Sequence, residues 1–203
     1  MLAASEAALS PRSDENDGVP KEDRMSNHRH LFVLRHAKSS WDNPGLDDHE
    51  RPLAPRGHHA VKLLGKHLRT AGVAPEQVLC SSARRTRETL AGVDPTGERL
   101  VERGLYSASA HDVLVRLRQV SASTESVMVV GHNPAMQVLV LRLIGANGNG
   151  GPSASADAGT DVGEVQRKFP TCALATLEFD CGWHELGPGC ARLTAFVVPR
   201  HLS

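Results

Sequence analysis

The sequence predicts an α/β protein, a three-layer sandwich in which helices flank both faces of a mostly parallel central sheet. Short apolar runs at residues 31–34, 77–80, 99–102 and 126–130 alternate with segments of helical periodicity. Strands alternating with helices favour a parallel sheet covered on both sides. Size agrees: 203 residues, 40% of them hydrophobic, suit one compact domain with a tail. Aromatics are only 3%, so Leu, Val and Ala must fill the core.

Residues 2–9 are too short for a signal peptide, include Glu6 and follow no cationic region. Residues 10–26 are polar and charged, which predicts a disordered tail over 1–27 and a folded domain over 28–203. Met25, just ahead of the first apolar run, is a second candidate start. The strand at 31–34 runs into Arg35-His36, and the turn-rich stretch 39–55 forms a long polar loop. Ala60, Leu63, Leu64 and Leu68 recur at helical spacing, predicting a helix over 56–70 that stops at Gly72.

A second strand at 77–80 leads through Ser81-Ser82 into a helix over 83–91. A third strand at 99–102 precedes a helix over 111–120, and SVMVV at 126–130 is the clearest buried strand. It ends at Gly131, after which Asn133 as N-cap and Pro134 in the first helical position open a helix reaching about 144. Residues 145–163 are low in complexity and predict a flexible surface insertion. Two late strands, 171–179 and 192–198, pair around Gly187-Pro188-Gly189.

Lys+Arg and Asp+Glu both number 23, so no global field draws in nucleic acid or an anionic membrane. No apolar run approaches the length of a membrane span, and the chain reads as soluble. Cys80, Cys172, Cys181 and Cys190 form no C-x-x-C pair, which argues against a zinc site and for a reducing, cytoplasmic compartment.

Three apolar strands each end in a polar cluster: Arg35-His36, Ser81-Ser82 with Arg84, Arg85 and Arg87, and Gly131-His132-Asn133. Ligands of open α/β sheets bind outside the carboxyl ends of the strands. If these strands are parallel neighbours, two imidazoles and at least two guanidiniums share one crevice. Guanidinium forks match phosphate oxygens, and a neutral imidazole is a competent nucleophile toward phosphorus. No G-x-x-x-x-G-K-[ST] loop occurs, which disfavours nucleotide-dependent transfer.

These motifs resemble those of the histidine phosphatase superfamily, also called the phosphoglycerate mutase-like family. LRHAKSS resembles its Arg-His-Gly signature, with Ala37 where Gly is commoner; SSARRTRET resembles its second motif, an Arg four residues before a Thr, met by Arg85 and Thr89. VVGHNP resembles its second-histidine motif, and RPLAPRG (51–57) with KFPTCALA (168–175) resembles the SixA-type phosphohistidine phosphatase branch. The likeness spans roughly residues 30–200.

The resemblance implies a phosphoglycerate mutase-like sandwich and a metal-independent phosphatase with no cofactor. His36 forms a phosphohistidine intermediate, and Arg35, Arg85 and His132 bind the phosphoryl group. Ser39 and Arg51 are weaker candidates for the pocket border. Many relatives add a general acid, an effect worth about 10²–10⁴ in rate, and Glu102 at a strand end is the candidate. The loop acids Asp42, Asp47, Asp48 and Glu50 read as solvated, and His58, His59 and His67 as surface groups. The expected partner is a phosphorylated protein or a small phosphorylated metabolite, with no nucleic acid and no membrane. The competing readings are a phosphoglycerate mutase-like or sugar-phosphate enzyme, a catalytically inactive phosphate-binding adaptor and, remotely, a metal-binding protein. The short chain between Arg85 and His132 leaves little room for the helical lid of a mutase.

Overall fold

The computed structural model describes residues 28–146 and 156–202. The expected tail at 1–27 and residues 147–155 of the expected insertion lie outside the described residues. Six strands form one sheet: β1 (Arg29–Arg35), β2 (Gln77–Ser81), β3 (Glu98–Glu102), β4 (Ser126–Gly131), β5 (Leu174–Phe179) and β6 (Arg192–Val197). Their order is β3-β2-β4-β1-β5-β6. The first four neighbours run parallel, whereas β5 is antiparallel to both β1 and β6.

Around the sheet lie α1 (Pro55–Thr70), α2 (Arg84–Val93), α3 (Ala110–Leu117), α4 (Ala135–Leu143) and α5 (Ala156–Arg167). Strand side chains alternate between faces, and this alternation divides the core in two. Phe32, Leu34, Val78, Cys80, Met128 and Val130 meet Val61, Leu64 and Leu68 of α1 and Leu90 and Val93 of α2. On the other face, Leu31, Val33, Leu79, Val127 and Val129 meet Leu114 and Leu117 of α3 and Leu139 and Leu143 of α4. Burying such an aliphatic side chain fully contributes about 1.5–3 kcal/mol, so these two layers hold the parallel strands side by side.

Helix ends follow local chemistry. Pro55 starts α1, where a missing N–H costs nothing, and Gly72 follows its end with φ of 67°. Ser109 and Asp112 form a reciprocal capping box on α3.

Two local expectations need correction. Asn133 does not cap α4: the Asn133–Pro134 peptide is cis, Pro134 flanks the helix, and the Asn133 amide donates instead to Gln137 Oε1 and the Phe169 carbonyl, each at 3.3 Å. Residues 156–163, expected within a flexible insertion, belong to α5, which packs along β6. Val162 and Val165 reach the core there, and packing outweighs the Gly-rich composition. The 39–55 loop carries a 3-10 turn at Asp48–Glu50 and an antiparallel bridge between Ser39 and Leu53. The β5–β6 connection likewise contains a 3-10 turn, Trp183–Glu185, ahead of Gly187-Pro188-Gly189, with Trp183 buried and donating to the Thr124 carbonyl.

Candidate active site

Because β2, β4 and β1 are consecutive parallel neighbours, with Cys80 opposite Val130 and Arg35 opposite Gly131, their three polar ends lie side by side. The His36 N–H donates to the Gly131 carbonyl, and the His36 and His132 ring centroids are 5.1 Å apart.

His36 is held from behind. Its Nδ1 lies 2.7 Å from the Ala37 carbonyl, an acceptor only, so Nδ1 carries the proton and Nε2 keeps its lone pair. Burial, partly countered by the hydrogen bond to Ala37 and reinforced by His132, Arg85 and Arg35, lowers the imidazole pKa to about 3. The imidazole is therefore neutral at physiological pH. The Ala37 N–H in turn donates to Thr89 Oγ1 at 2.9 Å, and the Thr89 hydroxyl donates to the Arg85 carbonyl at 2.6 Å. The spacing of Arg85 and Thr89 thus ties the arginine's helix to the backbone next to His36. Ala37 has a negative φ, so a residue with a Cβ fits here.

Segment 51–57 braces the same loop. The Ala54 N–H donates to the Lys38 carbonyl, and the Ser40 N–H to the Pro52 carbonyl. A Cβ on Gly57 would come within 2.3 Å of the Lys38 oxygen, so only glycine permits this approach. From β5's side, the Cys172 N–H donates to the carbonyls of both Arg35 and His36, with Cys172 at φ of 63°.

Arg85 and His132 form a second pair. Arg85 is 7% exposed, and its Nη2 lies 3.4 Å from His132 Nδ1. A guanidinium only donates, so His132 Nδ1 accepts and Nε2–H donates to Ser81 Oγ at 2.8 Å. Burial and the charge of Arg85 lower the His132 pKa to about 4, against a smaller opposing pull from Asp48. Arg35 donates Nη1 to the Phe169 carbonyl at 2.6 Å, while its buried Nε has no partner among the described residues. The four expected residues His36, Arg35, Arg85 and His132 are brought together.

Glu102 is not brought to them. It ends β3, but both its oxygens accept from Arg116 at 2.7–3.0 Å, and no hydrogen bond links it to the four. The acid beside the cations is Asp48, which sequence reasoning set aside as solvated. Its carboxylate accepts from Arg85 Nη2 (3.0 Å), Arg51 Nη1 (2.8 Å) and Tyr106 Oη (2.8 Å), and its carbonyl accepts from Arg85 Nη1 (2.6 Å). Partial burial raises its pKa, but the hydrogen bonds from Tyr106 and Arg51 and the charge of Arg85 prevail and hold it near 2. Arg51 also bonds Ser39 Oγ and stacks under Trp41, itself 67% exposed. Ser39 and Arg51 therefore support Asp48.

Tyr106, edge-on to both His49 and His132, was missed, as was Ser81 as a partner of His132. The only signal for Tyr106 was a lone aromatic just past a strand end. Arg84 and Arg87 are exposed, Arg84 pairing with Glu88 and Arg87 with Glu50. Cys80 is core, its thiol pushed up to about 12 by burial. Among the described residues, no cluster of His, Cys, Asp and Glu could hold a metal ion, and no helix is long and apolar enough to cross a membrane.

Residues 31–105 match the family model of the histidine phosphatase superfamily, branch 1. An uncharacterized protein of Mycobacterium tuberculosis is 39% identical over 172 residues, covering 82% of this chain and all of that protein. A solved structure from Nakamurella multipartitia, carrying the name phosphohistidine phosphatase SixA, is 30% identical with a TM-score of 0.73, over 85% of this chain and 96% of that one. Another of that name, from Agrobacterium tumefaciens, is 25% identical with a TM-score of 0.68, over 84% and 98%. Together with the paired histidines and the two inward arginines, the family match and the 30% identity to a SixA structure over 96% of its length show that this chain belongs to the SixA-type branch of the histidine phosphatase superfamily.

Proposed function

We propose that the protein is a phosphatase that removes the phosphoryl group from phosphohistidine in a protein, through a phosphoenzyme on His36. The His36 Nε2 lone pair attacks phosphorus and the P–N bond to the substrate imidazole breaks. That imidazole leaves with the proton it already carries. Water then attacks the phosphorus, the bond to His36 Nε2 breaks, and inorganic phosphate departs with the water's oxygen and both its protons, one of which passes to solvent. Arg35 and Arg85 offer guanidinium donors to the charge on the transferring oxygens, and His132 offers an N–H once it turns from Ser81.

One observation carries the choice of substrate: both candidate acids are engaged. Glu102 is gripped by Arg116, and Asp48 is held as a carboxylate by Arg85, Arg51 and Tyr106. An alkyl phosphate needs a proton for its alkoxide, whereas a protonated imidazole leaves without help. Only β3, a 3-10 turn and α3 lie between α2 and β4, which supports a site open to a protein rather than one closed over a sugar phosphate. Four free cysteines support a cytoplasmic setting. The test is a panel of histidine-phosphorylated protein, nitrophenyl phosphate, a sugar phosphate and a phosphoserine peptide. The expected order of kcat/KM places phosphohistidine and nitrophenyl phosphate well above both alkyl esters. A sugar phosphate turned over fastest would overturn the assignment.

A further inference from the structure

Next to Arg35 opens a groove of about 630 Å³ that the phosphatase chemistry leaves unexplained. Its rim carries Lys38, Arg56, Lys168 and Arg200, its floor includes Leu63 and Val198, and among the described residues no Asp or Glu lines it. In a chain with equal numbers of cations and anions, this is a strongly one-signed surface. None of the four rim cations forms an ion pair with a described residue, although eight Arg–carboxylate pairs occur elsewhere among the described residues. Arg56 occupies the first turn of α1, where the helix dipole already repels a cation and no acidic residue compensates. The groove thus presents four cations around an apolar floor with no described acid beside them.

We propose that this groove binds an acidic segment of the phosphorylated protein, flanking the phosphohistidine delivered to His36. The substrate class rests on the function proposed above. Arg35 lines the groove and stands one residue before His36, so the two sites are continuous. A single second phosphate would call for donors converging on one buried point. Here the heads of Arg56, Lys168 and Arg200 are exposed and come from separate chain segments. They surround an apolar floor, which suits an extended chain carrying several carboxylates above aliphatic groups. Charges of this kind act mainly on encounter and on salt dependence.

The experiment pairs binding with turnover. An unphosphorylated, fluorescein-labelled Asp-rich peptide and its Asn counterpart are titrated by anisotropy with the full chain and with Lys168→Glu/Arg200→Glu, both exposed positions. The acidic peptide should bind more tightly than the neutral one, lose affinity between low and physiological salt, and weaken about tenfold or more in the double variant. Nitrophenyl phosphate turnover should stay within about twofold in that variant, because its leaving group cannot reach the rim. Equal binding of the two peptides, or unchanged binding in the variant, overturns the proposal. Pyrophosphate competing through the same residues without any peptide preference overturns it in favour of a second phosphate. Because binding needs no phosphohistidine, the groove can fail while nitrophenyl phosphate is still hydrolysed. Failure of His36 chemistry instead shows as loss of turnover with peptide binding intact.

Discussion

Thr89→Val tests whether His36, the proposed nucleophile, is positioned through the backbone beside it. Valine keeps the shape and removes the hydroxyl, leaving the Ala37 N–H without its acceptor in a site where Ala37 is 0% exposed. Leaving such a donor unsatisfied costs about 1–3 kcal/mol. In a domain of this size that corresponds to a Tm lower by about 2–12 °C. Thr89→Ser keeps the oxygen and should remain near wild type. Since the Ala37 carbonyl fixes the His36 tautomer, kcat should fall in Thr89→Val more than KM rises. Thermal unfolding and steady-state kinetics on nitrophenyl phosphate read both effects. A Val variant with wild-type Tm and kcat would refute the reasoning.

Arg85→Lys keeps the charge but loses the planar fork, so kcat/KM should drop by more than about tenfold, while Arg84→Lys at an exposed position should be mild. Glu102→Gln should leave turnover of nitrophenyl phosphate and phosphohistidine within about twofold; a large, equal loss on every substrate would return Glu102 to the site. With ring-labelled histidine, NMR should show the His36 and His132 imidazoles neutral from pH 8 down to about pH 5, each assigned by its loss in His36→Ala or His132→Ala. Both pKa values lie below the unfolded value, so the unfolded chain binds more protons between them. Stability should therefore be level above about pH 6.5 and fall as the pH drops toward 4 and 3.

What the sequence reveals here depends on whether a residue's role is local or assembled. Arg35, His36, Arg85 and His132 sit at the ends of apolar runs whose β character is plain, and parallel neighbours must bring such ends together. Glu102 also ends a strand, but side-chain parity places it on the face of Leu100, toward α3, where Arg116 takes both its oxygens. That pairing depends on how α3 packs, which a short periodic pattern does not encode. Asp48 escaped notice for the converse reason. A loop acid carries no periodic signal, and only the folding of Asp48–Glu50 back over α2 brings it to Arg85. The α5 helix was hidden by its Ala and Gly content, because tertiary packing rather than propensity decides it.

The central claim is that His36 Nε2 takes the phosphoryl group. Wild-type protein mixed briefly with ³²P-labelled histidine-phosphorylated protein and quenched in alkali should carry label that survives base and is lost in acid, mapping to His36. His36→Ala should fold with an unchanged Tm and carry none. Label on Ser81, which stands 2.8 Å from His132 Nε2, or stoichiometric label persisting in His36→Ala, would contradict the account.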